Sequence, residues 1–248
     1  MRKIAFVTYA QAWFGLQLEF ARNVADVTGL PLAQTLLEYT NLYTRFGLGR
    51  EFDPAQPLWR QYLALLGSTR DQGAWTHEFY RQQPEAIVPR LKATSGCFSF
   101  STLGDGRVRL HFRNIDPDDC SPLSLERLES RQSELSSLLV TINAGYQEPP
   151  QVVGASWLYN LSSYRRLFPP TYLATAQVLT KRFQSMPLWG QFLDRHLEIK
   201  PAARSEFLQR LALVSHEDQL DHCFPLPVLK LEASALEFYD FYRISQTL

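Results

Sequence analysis

The sequence predicts an α+β protein: a mixed or antiparallel sheet with a hairpin over 95–113, covered by helices and preceded by an all-helical N-terminal third. Three observations predict it. Apolar residues recur at helical spacing through most of 1–92. The period then drops to two in Cys97-Phe98-Ser99-Phe100-Ser101, and again in the run from Arg107 to Arg113. Beyond the hairpin, short apolar runs such as Val152-Val153 alternate with a long leucine-striped helix. The chain is therefore expected to be one continuous globular unit made of a helical subdomain at 1–92 and a sheet-bearing portion at 93–248, with no linker between them.

The first helix is expected over about 4–27, stopped by Gly29 and Pro31. A second runs from Pro31 to about Arg45, with Leu32, Leu36, Leu37, Tyr39 and Tyr43 at helical spacing. Asp53-Pro54 announces a third, burying Trp59, Tyr62, Leu63 and Leu66. A fourth carries Trp75, Phe79 and Tyr80 and ends near Pro84.

The hairpin register follows from alternation. Cross-strand partners share a face, so Phe98 and Phe100 must oppose Val108, Leu110 and Phe112. Pairing Phe100 with Leu110 leaves a three-residue loop, Gly104 to Gly106, with Gly106 free to take positive φ. The other face then pairs Ser101 with Arg109, Ser99 with His111 and Cys97 with Arg113. After a polar loop over 116–119, Ser121-Pro122 opens a long helix whose buried stripe is Leu125, Leu128, Leu135, Leu139 and Ile142. Val152 to Trp157 reads as a buried strand, followed by a short helix capped by Asn160 or Ser162. Tyr172 to Leu179 fits either strand or helix. Helices near 187–196 and 201–214, a strand around Val228–Leu231 and a closing helix complete the chain.

Composition bounds the function. Hydrophobic residues are 45% and charged residues 20%, ordinary for a globular chain. Twenty-five basic and 25 acidic residues cancel, so no global field draws in nucleic acid. Three widely spaced cysteines, Cys97, Cys120 and Cys223, favour neither a disulfide framework nor a four-sulfur metal site. Thr8, Tyr9 and Gln11 interrupt the short N-terminal apolar run, against a secretory leader, and no run reaches the length of a membrane span. The expectation is a soluble, cytoplasmic protein without membrane or nucleic-acid partners, with a homo-oligomer left open.

The polar hairpin face is the leading candidate site. His111 stands opposite Ser99, with Arg109 and Arg113 two residues to either side. Guanidinium forks grip phosphate or carboxylate, and histidine carries protons near neutral pH. The bland reading of the same pattern is one wet face of a two-sided hairpin. Cys97, a diagonal neighbour of His111, is a less favoured nucleophile than an ordinary buried thiol.

The second candidate is the strand-to-helix turn carrying Trp157, Asn160, Tyr164 and Arg165, a place where ligands often sit in α/β structures. Arg127 and Arg131, four apart on the long helix and flanking its leucine stripe, are a third candidate set of anion grips, against the favoured bland reading of a charged flank with Arg131 near Glu134 at i+3. Metal binding at His216-Glu217-Asp218 and Asp221-His222-Cys223 lacks any recognised spacing, and Gly47-Leu48-Gly49-Arg50 is no phosphate loop, so neither metal nor cofactor is expected. His111 followed by Pro122-Leu123-Ser124 and Arg127 is similar to the histidine phosphatase pattern over 109–127 only. That family's Arg-His-Gly is replaced here by Leu110-His111-Phe112, so the resemblance implies no membership.

These readings converge on an enzyme for a small anionic metabolite, working by group transfer or hydrolysis. His111 is the acid/base, Arg109, Arg127, Arg131 and Arg165 hold the anion, and Trp157, Asn160 and Tyr164 line the pocket. The alternative is a non-catalytic interaction module that presents the aromatics of 1–92 and 157–172 to a partner.

Overall fold

The computed structural model of the chain describes residues 9–83, 91–116 and 120–245. In chain order the helices and strands are α1 (Gln11–Thr28), α2 (Leu32–Tyr39), α3 (Leu42–Arg45), α4 (Pro57–Ser68), α5 (Gln72–Gln82), β1 (Ala93–Ser95), β2 (Phe98–Thr102), β3 (Val108–Phe112) and α6 (Leu128–Gly145). Then follow β4 (Gln151–Ser156), α7 (Ser162–Arg165), α8 (Pro170–Ala174), β5 (Gln177–Leu179), α9 (Met186–Trp189), α10 (Pro201–Leu211), β6 (Val228–Ser234) and α11 (Ala235–Tyr242). A helical N-terminal region thus precedes a mixed six-stranded sheet, the predicted α+β class. No helix among the described residues is long and apolar enough to cross a membrane. The parts of the predicted elements at 4–8, at Pro84 and at 117–119 lie outside the described residues.

The chain forms two compact units. One comprises Met1–Val88 and Thr180–Leu226, the other Pro89–Leu179 and Pro227–Leu248. The 180–226 segment, expected to belong with the sheet, joins the helical unit instead. Long-range aromatic packing is the reason. The Phe20 ring on α1 meets Trp189, Phe207 and Phe224 at 5.5, 5.7 and 5.5 Å. The Trp13 indole N–H also donates to the Trp189 carbonyl at 3.1 Å.

Helix boundaries differ from expectation where side chains reach the backbone. The predicted helix from Pro31 to Arg45 breaks into α2 and α3 at Thr40, whose backbone is extended. The Asn41 N–H donates to Gln17 Oε1 at 2.7 Å, and its Nδ2 donates to the Gln184 carbonyl at 2.6 Å. Those distant partners hold the break open.

In the second unit the strand order is β1-β2-β3-β4-β6-β5. β3 and β4 run parallel, with α6 in the crossover between them, and the other neighbours are antiparallel. The hairpin has the derived register: Ser99 opposite His111, Phe100 opposite Leu110, Ser101 opposite Arg109. Gly106 takes φ 83°, and its N–H closes the turn onto the Leu103 carbonyl at 3.0 Å. Tyr172 to Leu179 resolves as both options in turn, the end of α8 and then β5.

Two details of the long helix are corrected. It begins at Leu128, after a 3-10 turn over Leu125–Arg127, so Pro122 is not its first residue. Leu125 is consequently 75% exposed and lies outside the buried stripe. Leu135, Leu138, Leu139 and Ile142 pack with Phe98, Phe100, Val108, Leu110 and Val152 in one core. α6 therefore covers the apolar face of the sheet.

Within that core, Gly154 on β4 leaves room for two phenols. Tyr159 and Tyr172 hydroxyls bond each other at 3.0 Å, and both lie where a Cβ on Gly154 would stand. Gly154→Ala should therefore cost about 1–3 kcal/mol by overpacking. Gly15→Ala, in open space within α1, should instead gain roughly 0.5–1 kcal/mol. Urea unfolding of both variants reads the opposite signs; a Gly154→Ala protein as stable as wild type would contradict the packing.

His77 supplies a pH handle on the helical unit. Burial, helped by Arg81, lowers its pKa, while a backbone hydrogen bond with Tyr9 and the Glu78 carboxylate work the other way. A lowered folded-state pKa means that the unfolded chain takes up the proton first. Stability is then fully present above the ordinary histidine value of about 6.5 and is lost as pH falls below it. His77→Gln should flatten the fall in urea midpoint between neutral and mildly acid pH; an unchanged slope would show that His77 contributes nothing.

Candidate functional site

The sheet has two faces, and alternation assigns every residue of the hairpin to one of them. Phe98, Phe100, Val108 and Leu110 point to the α6 core. Ser99, Ser101, Arg109 and His111 therefore share the opposite face. Register extends this face across the neighbouring strands: Arg109 stands beside Val153, and Val153 beside Glu232. Ser99 and Val153 are buried at 8% and 3% exposure, while Ser101, Arg109 and His111 are half-buried.

One contact stands out for its chemistry. Ser101 Oγ and His111 Nε2 are hydrogen-bonded at 2.8 Å. The pair is diagonal across the hairpin, since the residue directly opposite His111 is Ser99 and that opposite Ser101 is Arg109. Diagonal neighbours on one hairpin face are within reach of long side chains. The serine hydroxyl, the imidazole and the guanidinium thus share one patch, and each can exchange a proton or hold an anion. Arg107, on the same face, is committed elsewhere, to Asp105 and, at 3.1 Å, to Glu232.

The remaining candidates are distributed otherwise. Tyr164 is 3% exposed and packs on Phe98 and Phe112, whose rings lie on the α6 face, so the sheet stands between it and His111. Asn160 Nδ2 donates to the Trp157 and Pro227 carbonyls at 2.7 and 2.8 Å, a structural tie between the turn and the start of β6. It caps no helix, since α7 begins at Ser162 with Leu161 before it. Trp157 is half-buried at the start of the 3-10 turn after β4, and Arg165 on α7 is exposed. Arg127 ends the 3-10 turn that leads into α6. Neighbouring Arg166 donates to the Leu123 and Ser124 carbonyls at 2.8 and 2.7 Å, pinning that turn.

Arg131 is not placed as an anion grip. It is 2% exposed, and its Nη2 lies 3.1 Å from Asp116 Oδ1 and 3.0 Å from Glu134 Oε1. Glu134 also accepts the Cys97 N–H at 3.0 Å. Two carboxylates already neutralise this guanidinium, and the cluster ties the β1–β2 turn and the chain after β3 to α6. Cys97 lies in that turn, and burial pushes its thiol pKa up, which disfavours the thiolate a nucleophile needs.

Two carboxylates of the acidic cluster at 216–223 make surface contacts with Lys181. In the 3-10 helix Glu217–Cys223, Glu217 Oε1 lies 3.2 Å from Lys181 Nζ, and Asp221 accepts the Lys181 N–H. Among the described residues no group of three or more His, Cys, Asp and Glu side chains is gathered to hold a metal ion.

Of the predicted site residues, Arg109 and His111 share one face of the hairpin, Tyr164 lies behind the sheet, and Asn160 and Arg131 are held in structural contacts. Ser101 is the residue that the sequence reading passed over. Its signal was present in the derived register, which makes it the diagonal neighbour of His111. Comparison with protein-family models, curated proteins and solved structures finds no match to this chain.

Arg131→Leu separates a structural role from a binding role. Leaving Asp116 and Glu134 without their partner should cost about 3–5 kcal/mol, as for other broken buried pairs. Chemical denaturation reads this directly, and a loss under 1 kcal/mol would mean that the cluster holds little together.

Proposed function

We propose that this chain is an intracellular enzyme acting on a small anionic metabolite by group transfer or hydrolysis, with the polar face of the hairpin as its working surface. His111 moves the proton and Arg109 takes the anionic group. The 2.8 Å contact between Ser101 and His111 carries this reading. It joins a hydroxyl to a base on two paired strands, elements that hold such a pair without reorganisation. The burial of neighbouring Ser99 supports it further, because a charge that acts away from bulk water acts more strongly.

The rival reading, a module that docks partners through surface aromatics, has less support. Trp13, Trp59, Tyr62, Phe79, Tyr164 and Tyr172 are all buried. Among the described residues, Phe241 is the one aromatic in the exposed class.

Thermal unfolding in phosphate tests the anion assignment. A site that binds the folded chain alone raises stability by RT ln(1 + [L]/Kd), about 2.7 kcal/mol at one hundred times Kd. The wild-type midpoint should rise with phosphate beyond a chloride control of equal ionic strength, and Arg109→Ala should abolish the difference. An equal rise in Arg109→Ala would move the anion off this face.

A further inference from the structure

Ser101 and His111 occupy adjacent paired strands, and their hydrogen bond leaves the hydroxyl oxygen beside a ring nitrogen. With the imidazole neutral and its proton on Nδ1, Nε2 accepts the Ser101 hydroxyl proton. A serine bonded in this way to a base is the arrangement that activates a hydroxyl for attack. Arg109 stands directly across from Ser101 in the register, on the same face, so a guanidinium flanks the oxygen that would attack.

We propose that Ser101 is the nucleophile of an acyl-transfer reaction, with His111 as its general base and a carboxylic ester or thioester as substrate. The inference rests on the reading of this face as an anion site and assigns its chemistry. Ser101 Oγ forms a bond to the carbonyl carbon while its proton passes to His111 Nε2. The carbonyl oxygen becomes a single negative oxygen facing Arg109. Collapse of this intermediate breaks the bond to the alcohol or thiol, which leaves with the proton from His111. Water then attacks the Ser101 ester, gives its proton to His111 and releases the acid, and that proton returns to Ser101. The net reaction is ester plus water to acid plus alcohol, or thioester plus water to acid plus thiol.

Charge favours an acyl over a phosphoryl group at this position. An acyl intermediate concentrates one negative charge on one oxygen, which one flanking guanidinium can meet. Phosphoryl transfer spreads charge over three equatorial oxygens, which calls for several cationic groups around the site. Of the other cations on this face, Arg107 is tied to Asp105 and Glu232, Lys230 is tied to Glu232, and Arg113 is exposed beyond the end of β3.

The test is covalent labelling of the full chain with an aryl fluorophosphonate, followed by intact mass and peptide mapping. The expected result is one adduct on Ser101, unchanged in Ser99→Ala and slowed about 100-fold or more in His111→Gln, the span of general-base assistance. Circular dichroism and the unfolding midpoint establish that His111→Gln is folded. No adduct on Ser101, or an adduct formed equally fast in His111→Gln, overturns the proposal. If the wild type stays unlabelled while phosphate still raises its midpoint through Arg109, the nucleophile assignment fails and the anion site stands. If phosphate has no effect either, both fail.

Discussion

Alternation along the β2–β3 hairpin is the constraint on which the rest of the sheet-bearing unit depends. Phe98, Phe100, Val108 and Leu110 are all under 8% exposed. Burying four such side chains is worth roughly 6–12 kcal/mol together. That is comparable to the whole stability of a typical domain, about 5–15 kcal/mol. A slip of one residue would turn all four to the other face, so the register cannot drift. The same alternation leaves Ser99, Ser101, Arg109 and His111 no choice but a shared face. Hydrophobic packing on one side thereby positions the polar chemistry on the other.

The constraint propagates through pairing. β3 passes its face assignment to β4 through the short parallel contact at Val108–Val152 and Arg109–Val153, and β4 passes it to β6 over six antiparallel pairs. The ion pair from Arg107 to Glu232 spans those strands on the polar face. On the apolar face, the Arg131 cluster clamps the crossover that begins at α6. Clamp and patch are separate devices, one on each side of the same sheet.

The hairpin was legible because period-two alternation is a local signal. Register, loop length and the positive φ of Gly106 all followed from residues 97–113 alone. The break between α2 and α3 was not legible, since it depends on Gln17 and Gln184, far away in sequence. Nor was the allegiance of 180–226, which the rings around Phe20 decide. The candidate site was legible in part. Arg109 and His111 share a strand and hence a face, whereas Tyr164 and Arg131 depend on which face the crossover covers. Arg131 did leave a trace: with Leu128 and Leu135 it falls at i, i+3, i+7, on the buried stripe itself. A charge in that stripe reads as a paired, structural group.

The central claim is that the imidazole of His111 belongs to an anion-binding patch on the polar sheet face. The Hε1 resonance of His111, followed by NMR as phosphate is added at constant pH and ionic strength, tests this most directly. The account predicts a saturable movement of that resonance that is absent in Arg109→Ala. A His111 signal that stays fixed throughout the titration would contradict it.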